Sequence, residues 1–375
     1  MRSAPIPAGQ SRRIAGLDLV RAVAITGVVT AHATLLVDRA TGLTGDLVGL
    51  RLGGIGVDLF FALSGWLIGG QLYDGFRDGT FTVWSFWRRR WLRTVPAYLV
   101  FLCVTRIIYL HHRPDAPLVD WRYFVYVQNL AWPHPLAFAE AWSLSVEEWF
   151  YLITPLLLLV FCRGGRRPGW GFGLVAGLLM LGSLVARGVA VVRSDLPLLR
   201  GISEIVVLRL DAIGVGLAAV WLDRSGVFER RKTRMLLAVA GVATILSGIW
   251  WISCASLGRR INTGIAVRLW MPLVFPLGTA LLLPTCGRWL SWPWRVPGWI
   301  VGKIALISYS MYLCNISVMQ ATGKAGEFLG VPLGVQFVAF ALATLAVGYV
   351  SYRWIERPFI RRYRPEIPVA TERAT

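Results

Sequence analysis

Charge is scarce in this chain. Of its 375 residues only 16% are charged, against about 25% in an ordinary soluble domain. Acidic residues are the rarer sign, 20 Asp and Glu against 39 Lys and Arg, and histidine occurs four times. The five cysteines, Cys103, Cys162, Cys254, Cys286 and Cys314, stand singly in apolar stretches, with no CxxC and no Cys/His cluster. That pattern excludes a disulfide framework and a zinc site, and no metal is expected. Heptads, low-complexity tracts and clear internal repeats are absent too. No small-residue cleavage site follows the first apolar run, so a cleaved signal peptide is not expected.

What the chain does have is apolar bulk: 56% hydrophobic residues, 18 Trp and 17 Phe, with a mean hydropathy of +0.59. One soluble core of this length could not hide so much apolar surface. Repeated apolar runs of about 20 residues are helices crossing a bilayer, because each must satisfy its own backbone hydrogen bonds there. The spacing predicts an all-α, polytopic integral membrane protein of about ten transmembrane helices. The spans fall at Leu17–Val37, Gly54–Tyr73, Leu92–Leu110, Ala141–Cys162, Trp170–Val192, Glu204–Leu222, Met235–Cys254, Ala266–Pro284, Trp299–Met319 and Leu333–Arg353. Trp121–Trp132 is apolar and aromatic but too short to cross, so it reads as a surface-lying or re-entrant segment.

Basic residues orient these spans. With the N-terminus inside, the inner segments hold 22 Arg or Lys and the outer segments 9. Cytoplasmic loops collect such residues, so both termini are expected on the cytoplasmic side of the cell (inner or plasma) membrane. An eleventh crossing at Trp121–Trp132 would put Arg230, Arg231, Lys232 and Arg234 outside. The net charge of +19 is explained by these loops and by anionic lipid headgroups, without nucleic acid. The expected division is a tail at residues 1–16, a membrane domain at 17–353 and a second tail at 354–375.

Ionisable residues inside a bilayer are costly and tend to be functional. The first span holds Asp18, Arg21 and His32. Eleven residues separate Arg21 from His32, which places them on one helical stripe about 16 Å apart along the axis. Each alone could be an interface anchor or a helix-packing group. Together on one stripe they favour function, with His32 as a proton acceptor. His111, His112 and His134 read as solvated outer-loop residues.

Further polar groups interrupt the apolar runs. Asp58 and Ser64 lie in the second span as structural or pocket groups, and Gly65 and Gly69 there allow close helix packing. Arg90 and Arg93 sit at i and i+3 at the start of the third span, beside Arg88 and Arg89. They anchor the helix or form an anion site. In the fourth, Ser143 or Ser145 is placed to cap, and Glu147 and Glu148 to complement the helix dipole, leaving one glutamate for an Arg partner or a pocket. Arg209 and Asp211 point apart on the sixth span and need partners elsewhere. In the closing segment Glu356 is placed to neutralise an Arg, and Pro358 to end the helix.

In these residues the chain resembles the acyltransferase 3 family of membrane O-acyltransferases. Leu17-Asp-Leu-Val-Arg-Ala-Val-Ala with His32 looks like the family's opening motif. The resemblance continues in Val57-Asp-Leu-Phe-Phe-Ala-Leu-Ser-Gly, the Arg-rich start of the third span, and Trp142-Ser-Leu-Ser-Val-Glu-Glu-Trp-Phe-Tyr. It runs on through Arg209-Leu-Asp-Ala, Ser308-Tyr-Ser-Met-Tyr-Leu and Glu356-Arg-Pro, in the family's order and over nearly the whole chain. The resemblance implies transfer of an acyl group, commonly acetyl, from a cytoplasmic acyl-coenzyme A to a hydroxyl of a surface or exported carbohydrate or glycolipid. It maps the family's Arg-x10-His pair onto Arg21 and His32, and its Arg-x-x-Arg onto Arg90 and Arg93. One departure is Asn315, where the family often has His. Some members carry an esterase-like domain after the last helix; the sequence stops about 20 residues past the last span, so the membrane domain or a partner is expected to handle the acceptor.

The chemistry of the residues agrees with that implication. Coenzyme A is highly anionic, and Arg88, Arg89, Arg90 and Arg93 lie on the face where it would dock. His32 supplies the base, or a transient acyl carrier, and Arg21 orients the donor. A glycan transporter or flippase without covalent chemistry explains the helices and buried charges as well, as does a sensor or assembly protein with degenerate catalysis.

Overall fold

The computed structural model describes residues 13–41, 48–112, 120–162, 168–257, 264–292 and 295–362. Ten main helices follow one another: α1 (Ala15–Thr41), α2 (Val48–Arg77), α3 (Val83–His112), α4 (Ala141–Phe161), α5 (Pro168–Arg193), α6 (Leu210–Arg224), α7 (Arg231–Leu257), α8 (Ile265–Cys286), α9 (Arg295–Leu329) and α10 (Leu333–Ser351). Among the described residues there is no strand. Nine of these helices are long and apolar enough to cross a membrane, so the protein is an all-α, multi-pass membrane protein. The exception is α6, with 15 residues.

The sixth expected span, Glu204–Leu222, therefore differs from the structure. Its first part is two single 3-10 turns, Ile202–Glu204 and Val206–Leu208, and the α-helix begins only at Leu210. Non-helical backbone at membrane depth persists only where protein groups satisfy it. Here the loop between α3 and α4 does so: the amides of Val206 and Val207 donate to the carbonyls of Asn129 and Leu130 at 3.0 and 3.1 Å. The Asn129 side chain returns the bond to Glu204 O at 2.5 Å and also donates to Trp142 O. Of the two forms expected for Trp121–Trp132, surface-lying or re-entrant, the segment is closer to the second: it folds inward through Tyr123, Gln128 and Asn129, with Trp121, Phe124 and Val125 exposed. His134, expected to be solvated, is buried, and burial pushes its imidazole down to about 3, which keeps it neutral. The side chains of His111 and His112 lie outside the described residues.

Small residues set the tightest helix contact. Gly65 on α2 faces Gly216 on α6: a Cβ on Gly65 would stand 2.1 Å from Ile213 O, and one on Gly216 2.1 Å from Ala62 O. Without side chains at these points the two backbones touch, as small-residue motifs allow in membranes. By contrast α7 and α10 carry exposed Leu236, Val239, Val338 and Leu342, the apolar surface offered to lipid.

After α10 the chain does not stop at Pro358. A π turn at Tyr352–Glu356 leads into a last helix at Arg357–Arg362. The wider turn accommodates the amide that proline lacks. Glu356 accepts a hydrogen bond from Ser310 of α9, and the nearby positive charge is that of Arg93.

Candidate active site

Two cavities lie back to back in the bundle. The first, about 110 Å³, is lined by Arg21, Ser64, Arg90, Arg93, Glu147 and Tyr151 among others. The second, about 540 Å³, is lined by His32, Asp58, Glu140, Trp142, Glu204 and Arg209 among others. Val57 of α2 and Tyr312 of α9 line both, so they form the partition. The start of α4 threads the same wall, with Trp142 facing the second cavity and Ser143 the first. Tyr312 Oη is bonded to Ser143 Oγ at 2.6 Å and donates to Glu140 O at 3.2 Å.

The arginine cavity brings together residues from five helices. Arg21 from α1 has Asp18 beside it at 3.7 Å. On α3, Arg90 donates to Gln71 of α2, and its guanidinium lies 5.7 Å from the Phe86 ring centre and 6.0 Å from that of Tyr151. Its Nε is buried with no partner among the described residues. Arg93, one turn on, is exposed. Such a set of planar donors suits phosphate oxygens. Arg88 and Arg89 are exposed and line neither cavity, and Arg89 donates to Ser85. Of the four arginines Arg88, Arg89, Arg90 and Arg93, the structure brings only Arg90 and Arg93 to Arg21.

The adjacent glutamates of α4 part company. Glu147 lines the cavity and accepts from Ser64 Oγ at 2.6 Å and Tyr151 Oη at 3.3 Å. Glu148 is buried against α3 and accepts from Thr94 at 2.9 Å. Neither lies in the first turn, and the N-cap is Glu140, with no side-chain capping bond. Ser143 and Ser145, expected as caps, are used otherwise. Ser143 meets Tyr312, and Ser145 accepts from Gln128 at 2.6 Å.

Behind the second cavity Asn315, the departure from the family pattern, is the partner of His32. Its amide nitrogen donates to Tyr312 O at 2.6 Å. The amide oxygen therefore faces the ring, and His32 Nδ1 is the protonated donor. That tautomer leaves Nε2 with a free lone pair, the arrangement a general base requires.

Arg209 and Asp211 do find partners elsewhere. Arg209 pairs with Asp58, donates to Pro272 O at 2.6 Å, and lies 5.6 Å from the Phe61 ring centre. Asp211 pairs with Arg187 of α5 at 2.6 Å, and Arg187 also donates to Leu208 O and Leu269 O. Both pairs are buried across the broken start of α6. Asp58 thus borders the cavity while its charge is committed to Arg209. Among the described residues no group of His, Cys, Asp or Glu could hold a metal ion.

Sequence reasoning singled out neither Tyr312 nor Glu140. Tyr312 lies within a motif but carries no charge to mark it. Glu140 lies just before Trp142, and both of its buried carboxyl oxygens lack a partner among the described residues. Arg187 was missed because a lone arginine in an apolar run resembles an interface anchor until its depth is known.

Known proteins resemble this chain over most of its length. The chain is 26% identical to the peptidoglycan O-acetyltransferase OatA of Listeria monocytogenes over 92% of its own length and 55% of that protein. It is 24% identical to the O-acetyltransferase OatA of Staphylococcus aureus over 94% of its length and 58% of the relative. A putative O-acetyltransferase of Staphylococcus aureus is 31% identical over 45% of the chain. The chain spans little more than half the length of the two OatA relatives. No solved structure matches. The family profile described as an acyltransferase domain matches residues 14–353, essentially the whole helical bundle with both cavities, and the chain belongs to the acyltransferase 3 family.

Proposed function

We propose that the protein transfers an acyl group, acetyl first, from cytoplasmic acyl-coenzyme A to a hydroxyl of a cell-surface or exported carbohydrate or glycolipid. It would do so in the cell membrane with both termini inside. The observation that carries this reading is the pair of cavities sharing Val57 and Tyr312, with three arginines in one and an oriented His32 in the other.

Lengths support it. Arg21 and His32 are about 16 Å apart along α1 at 1.5 Å per residue. The pantetheine arm of coenzyme A has about twelve bonds from diphosphate to sulfur, equivalent to about four extended residues or ~14 Å. A diphosphate held by Arg21, Arg90 and Arg93 then puts the thioester at the depth of His32, past Val57 and Tyr312. His32 Nε2 takes the proton of the acceptor hydroxyl as that oxygen bonds to the acyl carbon. The carbon–sulfur bond breaks, and the proton passes to the departing thiolate. Asn315 holds the ring throughout, and the arginines fix the donor.

The test is acyl transfer by the purified protein. Acetyl-coenzyme A is supplied with envelope glycan, and thiol release and O-acetyl product are measured. His32→Ala is expected to lower the rate by about 10²–10⁴-fold; wild-type turnover by that variant sinks the reading. Glycan moved across vesicle membranes with no covalent change would instead favour the flippase.

A further inference from the structure

A third pocket, of about 220 Å³, lies where the start of α1 meets the start of α9. Its lining includes Arg13, Asp18, Trp292, Gly298, Trp299 and Lys303. We propose that it holds the nucleotide end of coenzyme A, the phosphorylated adenosine, while the diphosphate and arm occupy the arginine cavity. This rests on the acyl-coenzyme A reading above and assigns a part of the donor that the other two cavities leave without a place.

The pocket is a fixture of the fold. The amide of Gly16 donates to Trp289 O at 3.0 Å, and a Cβ on Gly16 would come 2.3 Å from Cys286 O, so the start of α1 is clamped to the end of α8. Arg13 Nη1 donates to Gly302 O of α9 at 2.8 Å. Trp292 lies against Gly298, where an added Cβ would be 2.7 Å from the indole. Three close approaches, at Gly16, Gly298 and Gly302, give the cleft its shape.

Its chemistry suits a nucleotide. Trp299 is 65% exposed, leaving indole surface for a base to stack on, and the Lys303 ammonium stands 5.7 Å from its ring centre. Among the described residues Arg13 makes one side-chain hydrogen bond, to Gly302 O, and keeps further N–H donors. Asp18, the acid of the lining, lies near Arg13 and 3.7 Å from Arg21, and with Arg13 and Lys303 against one carboxylate the lining carries cations in excess. The opening turns of the 35-residue α9 add the positive end of a helix dipole, which favours phosphate.

Position selects coenzyme A among phosphates. Asp18 lines this pocket and Arg21 lines the arginine cavity, about one helical turn apart. With the thioester directed toward His32, the far end of the donor must leave Arg21 toward the start of α1, where this pocket lies. Arg88 and Arg89 line none of the three cavities.

The test compares two probes on the full chain in phosphatidylcholine nanodiscs: coenzyme A, and 4′-phosphopantetheine, which lacks the nucleotide. Lys303→Ala and Trp299→Ala are each expected to weaken coenzyme A about tenfold, the scale of one lost charged or stacking contact, and to leave 4′-phosphopantetheine unchanged. Equal weakening of both probes, or no weakening of either, overturns the assignment. So does a defect that appears only when phosphatidylglycerol is added, which would mark a lipid-headgroup site. A wild-type protein that binds no coenzyme A fails the donor reading itself. Wild-type binding with silent variants fails only the nucleotide pocket.

Discussion

Asn315 stands where the family often has His, a substitution that suggested a degenerate site. Its amide instead bonds Tyr312 O on one side and the His32 ring on the other. The residue therefore sets a tautomer, which His at the same position could also do with a ring nitrogen. Asn315→Leu is expected to lower acyl transfer by roughly 10²-fold, within the usual range for losing an oriented base, while Asn315→His retains most of it. Rates on acetyl-coenzyme A with envelope glycan check this. The pair of Asp58 and Arg209 is a different case. Asp58→Ala leaves a buried guanidinium uncompensated and is expected to cost about 3–5 kcal/mol, whereas Asp58→Leu with Arg209→Met recovers much of it. Thermal unfolding in detergent reads both. Residue identity alone could not separate these roles, because Asp58 and His32 are both polar groups in apolar runs.

At the scale of elements, the break before α6 organises the site. It lets Arg209 and Asp211, two residues apart, reach Asp58 on α2 and Arg187 on α5. It also draws the loop of Gln128 and Asn129 inward, and that loop anchors the start of α4 through Ser145 and Trp142. The helix periods that located ten spans were sound for the long helices. They failed at Glu204–Leu208 because an apolar run reads alike whether it is helical or held in 3-10 turns by a neighbouring loop. Below the break, α6 relies on the contact of Gly65 with Gly216. Gly65→Ala is expected to destabilise by about 1–3 kcal/mol, since the new methyl meets backbone rather than a movable side chain. Gly70→Ala, with nothing near its Cβ, is the neutral control, and the two are compared by the temperature at which each loses its folded state in detergent.

For the whole molecule, the partition is the decisive feature. Val57 borders both cavities, so Val57→Trp is expected to fill the passage. Coenzyme A binding stays near the wild-type value while transfer to glycan falls by at least tenfold, the size of a misplaced reacting centre. Equal loss of binding and transfer would place the donor path elsewhere. Orientation is tested separately: a fluorescent protein fused after Thr375 should fluoresce and an alkaline phosphatase fused there should be inactive, as the bias of arginine toward one set of loops requires.

Composition and periodicity determined much of this protein. A chain so poor in charge must put its long apolar runs in a bilayer, and there each run must be helical. The stripe of Arg21 and His32 was likewise readable, since helical geometry alone puts residues eleven apart on one face. The tertiary structure decided what no local pattern contains. It separated Arg90 and Arg93 from Arg88 and Arg89, gave Asn315 to His32, and set Tyr312 between two cavities. These depend on how helices distant in sequence are rotated and stacked, and a one-dimensional pattern carries no record of which face of one helix meets which face of another.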